Sequence, residues 1–515
     1  MRSPRGDQTG SGTNWIHLSW QTPTRWARRD VALIGFLTGL VALAHAGTHA
    51  ETDPFWQARA GMENLDGAAF RRSDSWSWAP VDSDFQQNSP GWNSLLGLSI
   101  RLLGIHDWGI PGLFIVTFVS IATLYALLAL AAWRVGARAI PTLVGLVVLS
   151  VLGWIGLSAR ATVPALSLLV LGLLMAYAIT SPHWRIPTSQ RVIVATLTAL
   201  AISAMGIWIH TSWLLFGPLL GLLWTVLWCG SGQMSRGTAL VASAFSGAAL
   251  AIGTLLGPYG ASVWEFALRT REITSDLILE WRGLVTPPIQ WTWWIIFGVC
   301  IASAVGALAI KVAPSRNALA VATGLAVLAT SLGGFMASRF LFVALPLAVP
   351  LLALAMTRCM PVNATDVTRP RVYLSDPVQR VVWLGVLIIV APIALFFTIP
   401  LAKPKSVSVA SLLPDNCQLF ADLYTSNTLT ILRPDITNYW DSRFDYYGRE
   451  RLLDGRDYLA GIKPAPVPPG TTCVAIFDIP ELYASLRDSM DGTNEWRRMD
   501  SADGFIVWVK EDPVS

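Results

Sequence analysis

Charged residues are scarce in this chain: Asp, Glu, Lys and Arg make up 14% of its 515 residues, against 53% hydrophobic ones. Soluble globular domains carry about a quarter charged residues, so a multidomain soluble enzyme is excluded and most of the chain is read as lipid-solvated. Cysteines number only five, too few for a disulfide scaffold. Cys229 and Cys300 sit in apolar runs and read as buried packing residues. Cys417 and Cys473 fall in the polar C-terminal part, where a disulfide is chemically permitted outside the cytoplasm; their pairing stays open, because separation in space is not readable from sequence. No internal repeat is evident, which argues against a secondary transporter built on paired inverted halves. The net charge of +4 carries no sign of a nucleic-acid partner, because Arg and Lys gather in short connectors between apolar runs, the pattern of orientation signals.

What is present is a series of apolar runs long enough to cross a hydrocarbon core of roughly 30 Å. They lie near Val31–Thr48, Trp108–Trp133, Ile140–Ser158, Pro164–Thr180, Val192–Ile209, Trp213–Cys229, Thr238–Gly257, Trp291–Ile310, Ala318–Ala337, Phe340–Met356 and Val381–Pro400, about eleven spans. Arg134, Arg138, Arg185, Arg191, Arg236, Lys311, Arg316 and Arg358 fall in alternate connectors, on the same side as Arg25, Arg28 and Arg29. Residues 1–30 are therefore expected to be a cytoplasmic tail before a retained first span. Residues 31–400 form the membrane domain, with outer loops 49–107 and 258–290. Residues 401–515 fall outside. Within them Cys473–Ile479 and Phe505–Lys510 read as strands and Pro480–Met490 as a helix, a small α/β domain. Residues 93–104 and 261–281 have helical spacing but are too short to span, and are expected to lie in the interface.

The stretch that organises the chain is Glu51-Thr52-Asp53-Pro54-Phe55-Trp56-Gln57-Ala58-Arg59-Ala60-Gly61. Two carboxylates emerge where the first apolar run ends. Ionisable groups at that depth are costly to desolvate, so a functional site is the default reading. The bland alternative is a pair of solvated acids matched with Arg59, Arg71 or Arg72.

In form and place Glu51-Thr52-Asp53 resembles the split acidic pair in the first extracytoplasmic loop of the GT-C class of integral-membrane glycosyltransferases. More closely, the chain is similar to a group of bacterial multispan proteins related to that class. The resemblance runs through Asp74-Ser75-Trp76-Ser77, Gly91-Trp92, Ala159-Arg160 with Pro164, Trp208-Ile209-His210, Gly257-Pro258-Tyr259-Gly260, Glu280-Trp281, Arg339-Phe340 and Asp441-Ser442-Arg443 with Tyr446. It departs at Gln57, where the group often has a histidine, and before Gly91-Trp92, where it often has an acid. The resemblance implies a multi-pass protein of the bacterial plasma membrane. It further implies transfer of a sugar from a polyprenyl-phosphate-linked donor to an envelope glycan, lipid or protein acceptor.

That chemistry needs a base for the acceptor hydroxyl and stabilisation of the departing phosphate. Asp53 is the first candidate base and Glu51 the second. Arg160 and Arg339 stand at outer helix ends; their guanidinium forks suit phosphate oxygens, and the alternative is that they snorkel to headgroups. His210 sits at an outer turn, where it either orients the acceptor or is a satisfied structural histidine. Arg59, Trp56 and Trp92 are further candidates for substrate contact, Trp76, Trp78 and Trp92 reading equally well as sugar platforms or as the means by which the loop folds onto the bundle. A magnesium or manganese ion at Glu51 and Asp53 suits hard oxygen ligands, and nothing in the sequence requires it. Asp82-Ser83-Asp84 reads as a solvated turn. The rival functions are a flippase for a lipid-linked intermediate and a non-catalytic envelope assembly protein.

Overall fold

The computed structural model describes residues 26–46, 52–81, 83–106, 109–154, 156–180, 187–231, 234–275, 277–309, 314–359, 406–500 and 503–511. Glu51, Asp82, Trp108 and the expected span Val381–Pro400 lie outside the described residues.

The apolar runs become helices that follow their hydropathy closely. They are α1 (Arg28–Ala46), α4 (Pro111–Val135), α5 (Ala139–Leu152), α6 (Thr162–Ile179), α7 (Thr188–Ile209), α8 (Trp213–Ser231), α9 (Arg236–Leu255), α11 (Trp291–Leu308), α12 (Pro314–Gly333) and α13 (Leu341–Cys359), with α2 (Asp53–Leu65), α3 (Pro90–Leu103) and α10 (Ser262–Thr274) in the loops between them. Among the described residues eight segments have the length and composition to cross a bilayer, with α5 and α12 as shorter apolar helices. The chain is thus a multi-pass membrane protein. The expected third span, Ile140–Ser158, is cut short. Gly153 caps α5 through its N–H to the Leu149 carbonyl, and a Cβ on Gly156 would fall 2.5 Å from the Phe342 ring; residues 153–154 and 156–161 turn instead of continuing the helix.

The connectors sort to two faces, as the basic residues imply. On one face Trp26 Nε1 donates to the Ala137 carbonyl and Arg138 N–H to Thr357 Oγ1. On the other, Thr211 N–H donates to the Asn88 carbonyl and Leu284 N–H to that of Gly334. We refer to the second as the loop face.

Residues 52–110 are built on two helices. α2 (Asp53–Leu65) starts at the acidic motif, with Asp53 in its first turn, where the helix dipole favours an anion, and Pro54 behind it. α3 (Pro90–Leu103) is a helix over the stretch 93–104 that was expected to lie in the interface. It buries Trp92, Leu96 and Ile100, and presents Leu95, Leu98 and Leu102 outward, as a helix lying in lipid would. The two cross at glycines: a Cβ on Gly61 would lie 1.7 Å from the Asn93 carbonyl oxygen. No side chain fits there, which gives Gly61 a packing reason. α10 (Ser262–Thr274) is the second helix on this face, over the stretch read as interfacial.

The C-terminal segment adds α14 (Val407–Ala410), β3 (Gln418–Ala421), α15 (Leu423–Leu432), β4 (Thr437–Asn438), α16 (Phe444–Leu459), β5 (Cys473–Phe477), α17 (Pro480–Asp491), β6 (Trp496–Asp500) and β7 (Phe505–Lys510); β1 (Arg71–Arg72) and β2 (Phe85–Gln86) form a small ribbon in the first loop. The five-stranded sheet runs β4-β3-β5-β7-β6, with β4, β3 and β5 parallel and β5, β7 and β6 antiparallel. Both strands expected from sequence are present, and the helix Pro480–Met490 is α17. Cys417 and Cys473 are buried free thiols, and the neighbouring Cys473 thiol together with burial holds that of Cys417 well above its ordinary range.

This domain shares its core with the first loop. Asn438 N–H donates to the Trp76 carbonyl at 2.7 Å and Trp78 N–H to the Asn438 carbonyl at 3.2 Å, so residues 76–78 extend the sheet beyond its edge strand β4 and cover that edge. Trp56, Trp76 and Phe85 pack in one cluster with Phe420, Tyr439, Trp440, Tyr446 and Trp508. The loop and the α/β domain are therefore one packed unit on the loop face.

Candidate active site

Asp53 is half-buried at the N-terminus of α2. Its Oδ1 accepts from Trp56 Nε1 at 3.1 Å, one turn along, and from the Ser442 hydroxyl of the α/β domain. Ser442 is itself placed by Asn427 on α15: Ser442 N–H donates to Asn427 Oδ1 at 3.1 Å, and Asn427 Nδ2 donates to Ser442 Oγ at 2.9 Å and Thr52 Oγ1 at 2.5 Å. Two donors on one oxygen orient the carboxylate from both sides of the junction.

Arg59 and Trp92, expected to touch substrate, are instead buried in the fold. Arg59 reaches under the α/β domain, donating to the Thr430 carbonyl at 3.0 Å and the Pro434 carbonyl at 3.3 Å, pairing with Glu63 at 3.3 Å and lying over Trp76. A guanidinium so engaged is an anchor between α2 and α15. Trp92 is 2% exposed, in an apolar cluster with Phe55, Leu96 and Ile431. Trp56 is buried too, and its contribution is the hydrogen bond to Asp53.

The other three candidates come together. Arg160, between α5 and α6, pairs with Glu280 at 2.7 Å, both side chains about one-fifth exposed. Arg339, just before α13, lies 4.1 Å over the Trp281 ring. Burial and the charges of Arg339 and Arg160 push His210 down to about 3, so its ring is neutral at pH 7. Its Nδ1 accepts the Ser212 N–H at 2.9 Å, which leaves the ring proton on Nε2. Burial works to raise Glu280, and Arg160 and Arg339 overcome it, holding its carboxyl below the usual range. Two arginines, a neutral imidazole donor and one balancing carboxylate thus meet where four connectors converge. The apolar cluster that contains Phe55 also includes Ala159 and Ala161, on either side of Arg160, and so links this group to the start of α2.

A third group lies beneath the first loop. Arg443 is fully buried, donating to Asp441 at 2.7 Å, to Asp74 at 3.0 Å and to the Tyr447 hydroxyl at 2.8 Å, with its guanidinium 4.4 Å over Trp76. Ser77 donates to Asp74 at 2.5 Å. Burial works to raise Asp74, and Arg443 prevails and holds it below its ordinary range. This network latches the loop to the α/β domain, which is the folding role weighed for Trp76. Ser442 and Asn427 were missed as site residues because hydroxyl and amide side chains carry no distinguishing pattern; the neighbouring Asp441 and Arg443 were the available signal. Among the described residues no group of three His, Cys, Asp or Glu side chains is placed to hold a metal ion. Of the pair expected to suit magnesium or manganese, Glu51 lies outside the described residues.

No family model matches the chain. No curated protein matches it either. Solved structures do. The Archaeoglobus fulgidus oligosaccharyltransferase AglB superposes with a TM-score of 0.51 at 10% identity, over 94% of this chain and 74% of that one. ArnT from Cupriavidus metallidurans, bound to undecaprenyl phosphate, gives 0.52 at 14% identity over 93% and 97%. The arabinofuranosyltransferase AftD from Mycobacteria gives 0.53 at 16% identity over 95% of this chain and 42% of its own. The chain is a polytopic membrane protein with the GT-C fold and a small C-terminal α/β domain. It spans less than half the length of AftD.

Proposed function

We propose that this protein is a membrane glycosyltransferase that moves a sugar from a polyprenyl-phosphate-linked donor to a hydroxyl of a cell-envelope acceptor. The observation that carries the reading is the gathering of Arg160, Arg339 and His210 around Glu280 and Trp281 at the loop face. Two structures of the same fold contain lipid phosphates, undecaprenyl phosphate in ArnT and dolichol-phosphate in AglB. The arginine forks and the His210 Nε2–H suit the phosphate of such a donor, and Trp281 holds Arg339 in place for it.

In the transfer, the acceptor oxygen attacks the anomeric carbon while the bond from that carbon to the phosphate oxygen breaks. The electron pair leaves with the polyprenyl phosphate, where Arg160 and Arg339 offset the added charge. Asp53 takes the acceptor proton, held in plane by Trp56 and Ser442, and the anomeric centre inverts. Glu51 is the second candidate base. The acceptor is an envelope glycan, lipid or protein. The setting is the bacterial plasma membrane, with the loop face outside, supported by Arg134, Arg138 and Arg236 in connectors of the opposite face.

The test is transfer by reconstituted full-length protein supplied with radiolabelled polyprenyl-phosphate sugars and crude envelope acceptor. Loss of label transfer in Asp53→Asn supports the reading. Unchanged transfer in both Asp53→Asn and Glu51→Gln removes the base assignment, and donor that crosses the bilayer without transfer of its sugar makes the protein a flippase.

A further inference from the structure

Between the first loop, α10 and the α/β domain runs a groove of about 710 Å³ that the transfer chemistry does not use. Its size falls within the ~300–1,000 Å³ of typical ligand pockets. Asp74 and Ser77 form its floor, and Arg443 beneath them carries on to Ser442 and so to Asp53. Arg269 of α10 stands at the rim, exposed.

The walls are fixed before anything binds. Trp78 Nε1 donates to the Leu419 carbonyl at 3.1 Å, Arg451 to the Pro80 carbonyl at 2.5 Å and the Ser83 hydroxyl to the Tyr446 carbonyl at 2.9 Å. A preformed groove spares a ligand the entropy of ordering it. Its charges are largely balanced internally: Arg71 pairs with Asp84 at 3.1 Å with both side chains more than half exposed, and Asp74 is matched by Arg443. A strongly anionic ligand would meet the exposed carboxylate of Asp84. A prenyl chain would desolvate the ion pair and the hydroxyls without replacing their hydrogen bonds. Guanidinium donors, a carboxylate acceptor and serine hydroxyls, set beside the rings of Trp78 and Tyr446, match a molecule with hydroxyls at its edges and C–H groups on its faces.

We infer that this groove binds a neutral saccharide chain, the acceptor glycan of the transfer reaction. The inference rests on the glycosyltransferase reading for the word acceptor, and on the groove alone for the saccharide. It narrows the acceptor from glycan, lipid or protein to a glycan-bearing molecule whose chain lies along residues 73–84 with its growing end toward Asp53.

The experiment measures binding without donor. Full-length protein in nanodiscs is presented to an array of labelled neutral pentose and hexose oligosaccharides, beside the variant carrying Arg269→Ala and Ser73→Ala. Both side chains are exposed, so the fold is retained, as an unchanged melting temperature verifies. The expected result is binding of at least one oligosaccharide by the wild type, weakened about tenfold or more in the variant. Absence of binding to every array member, or equal binding by both proteins, overturns the inference. Transfer that depends on Asp53 without groove binding keeps the enzyme and discards the groove. Groove binding without transfer to any acceptor keeps the saccharide site and discards the enzyme.

Discussion

Ser442 donates its hydroxyl hydrogen to Oδ1 of Asp53 across 389 residues of sequence. The candidate base on α2 is therefore aimed from the α/β domain, and the two halves of the molecule meet at one carboxylate. Ser442→Ala removes a hydrogen bond to a charged group, worth roughly 1.5–3 kcal/mol. If the bond serves the transition state, the turnover number falls about tenfold to a hundredfold while the donor KM and the melting temperature hold. Ser442→Thr, which keeps the hydroxyl, should restore most of the rate. Parallel loss of stability and rate in Ser442→Ala, with no rescue by threonine, would reduce Ser442 to a packing residue.

The latch at Arg443 makes a different prediction. Its guanidinium is fully buried against Asp441 and Asp74, so Arg443→Met leaves two carboxylates uncompensated, at a cost of about 3–5 kcal/mol. The first loop should then lose protection from hydrogen exchange over residues 71–89 while the membrane helices keep theirs. Asp74→Asn combined with Arg443→Met should cost less than the sum of the two. Additive losses would show that the pair is not coupled.

These two contacts mark the limit of what the chain discloses by itself. The spans were legible because lipid makes one demand on every residue of a crossing helix; α4, α7, α8 and α9 begin and end within a few residues of their apolar runs. The strands at 473–477 and 505–510 were legible for a similar reason, as compact apolar runs of strand length. Trp76 was not. A loop tryptophan looks the same in sequence whether it stacks on a sugar or lies under an arginine 367 residues away, as Trp76 lies under Arg443. Nor was α2 foreseen as a helix, since its polar motif gives little apolar periodicity and its buried face is made by α3 and α15. The engagement of Arg59 was hidden for the same reason, its partners being carbonyls at 430 and 434.

Asp445 gives the junction of α10 and α16 a pH dependence. Burial raises its carboxyl to about 6, with the charges of Arg443 and Arg269 working against that rise and Asp441 adding to it. A group whose folded pKa is raised contributes stability that is complete below its unfolded value, about 4, and is lost as pH rises through 6. Docking of the α/β domain should therefore tighten from pH 7 to pH 5, read as slower hydrogen exchange in residues 262–274. In stronger acid the sign reverses, because the stabilisation from Asp74, held below its ordinary range by Arg443, is lost as pH falls out of the ordinary carboxylate range and through that lower folded value, and the latch weakens. Asp445→Asn should flatten the upper limb and stabilise the protein above pH 6, by on the order of 1–2 kcal/mol. An unchanged limb in that variant would assign it to another group.

Arg160 and Glu280 separate strength of fold from chemistry. Arg160→Ala leaves Glu280 buried with the Arg339 charge still near it, so its carboxyl moves back up toward neutrality and the pair's contribution to stability is lost. Adding Glu280→Gln removes the uncompensated charge, and stability should recover by about 1–3 kcal/mol relative to Arg160→Ala alone. Transfer should not recover with it, because the guanidinium proposed to meet the departing phosphate is still missing; the turnover number should stay down by about a hundredfold. Arg160→Lys keeps the charge but not the fork, and should fall between. If the double variant transfers sugar at nearly the wild-type rate, then Arg160 is a strut for the connector carrying Glu280, and the lipid phosphate must be met by Arg339 and His210 without it.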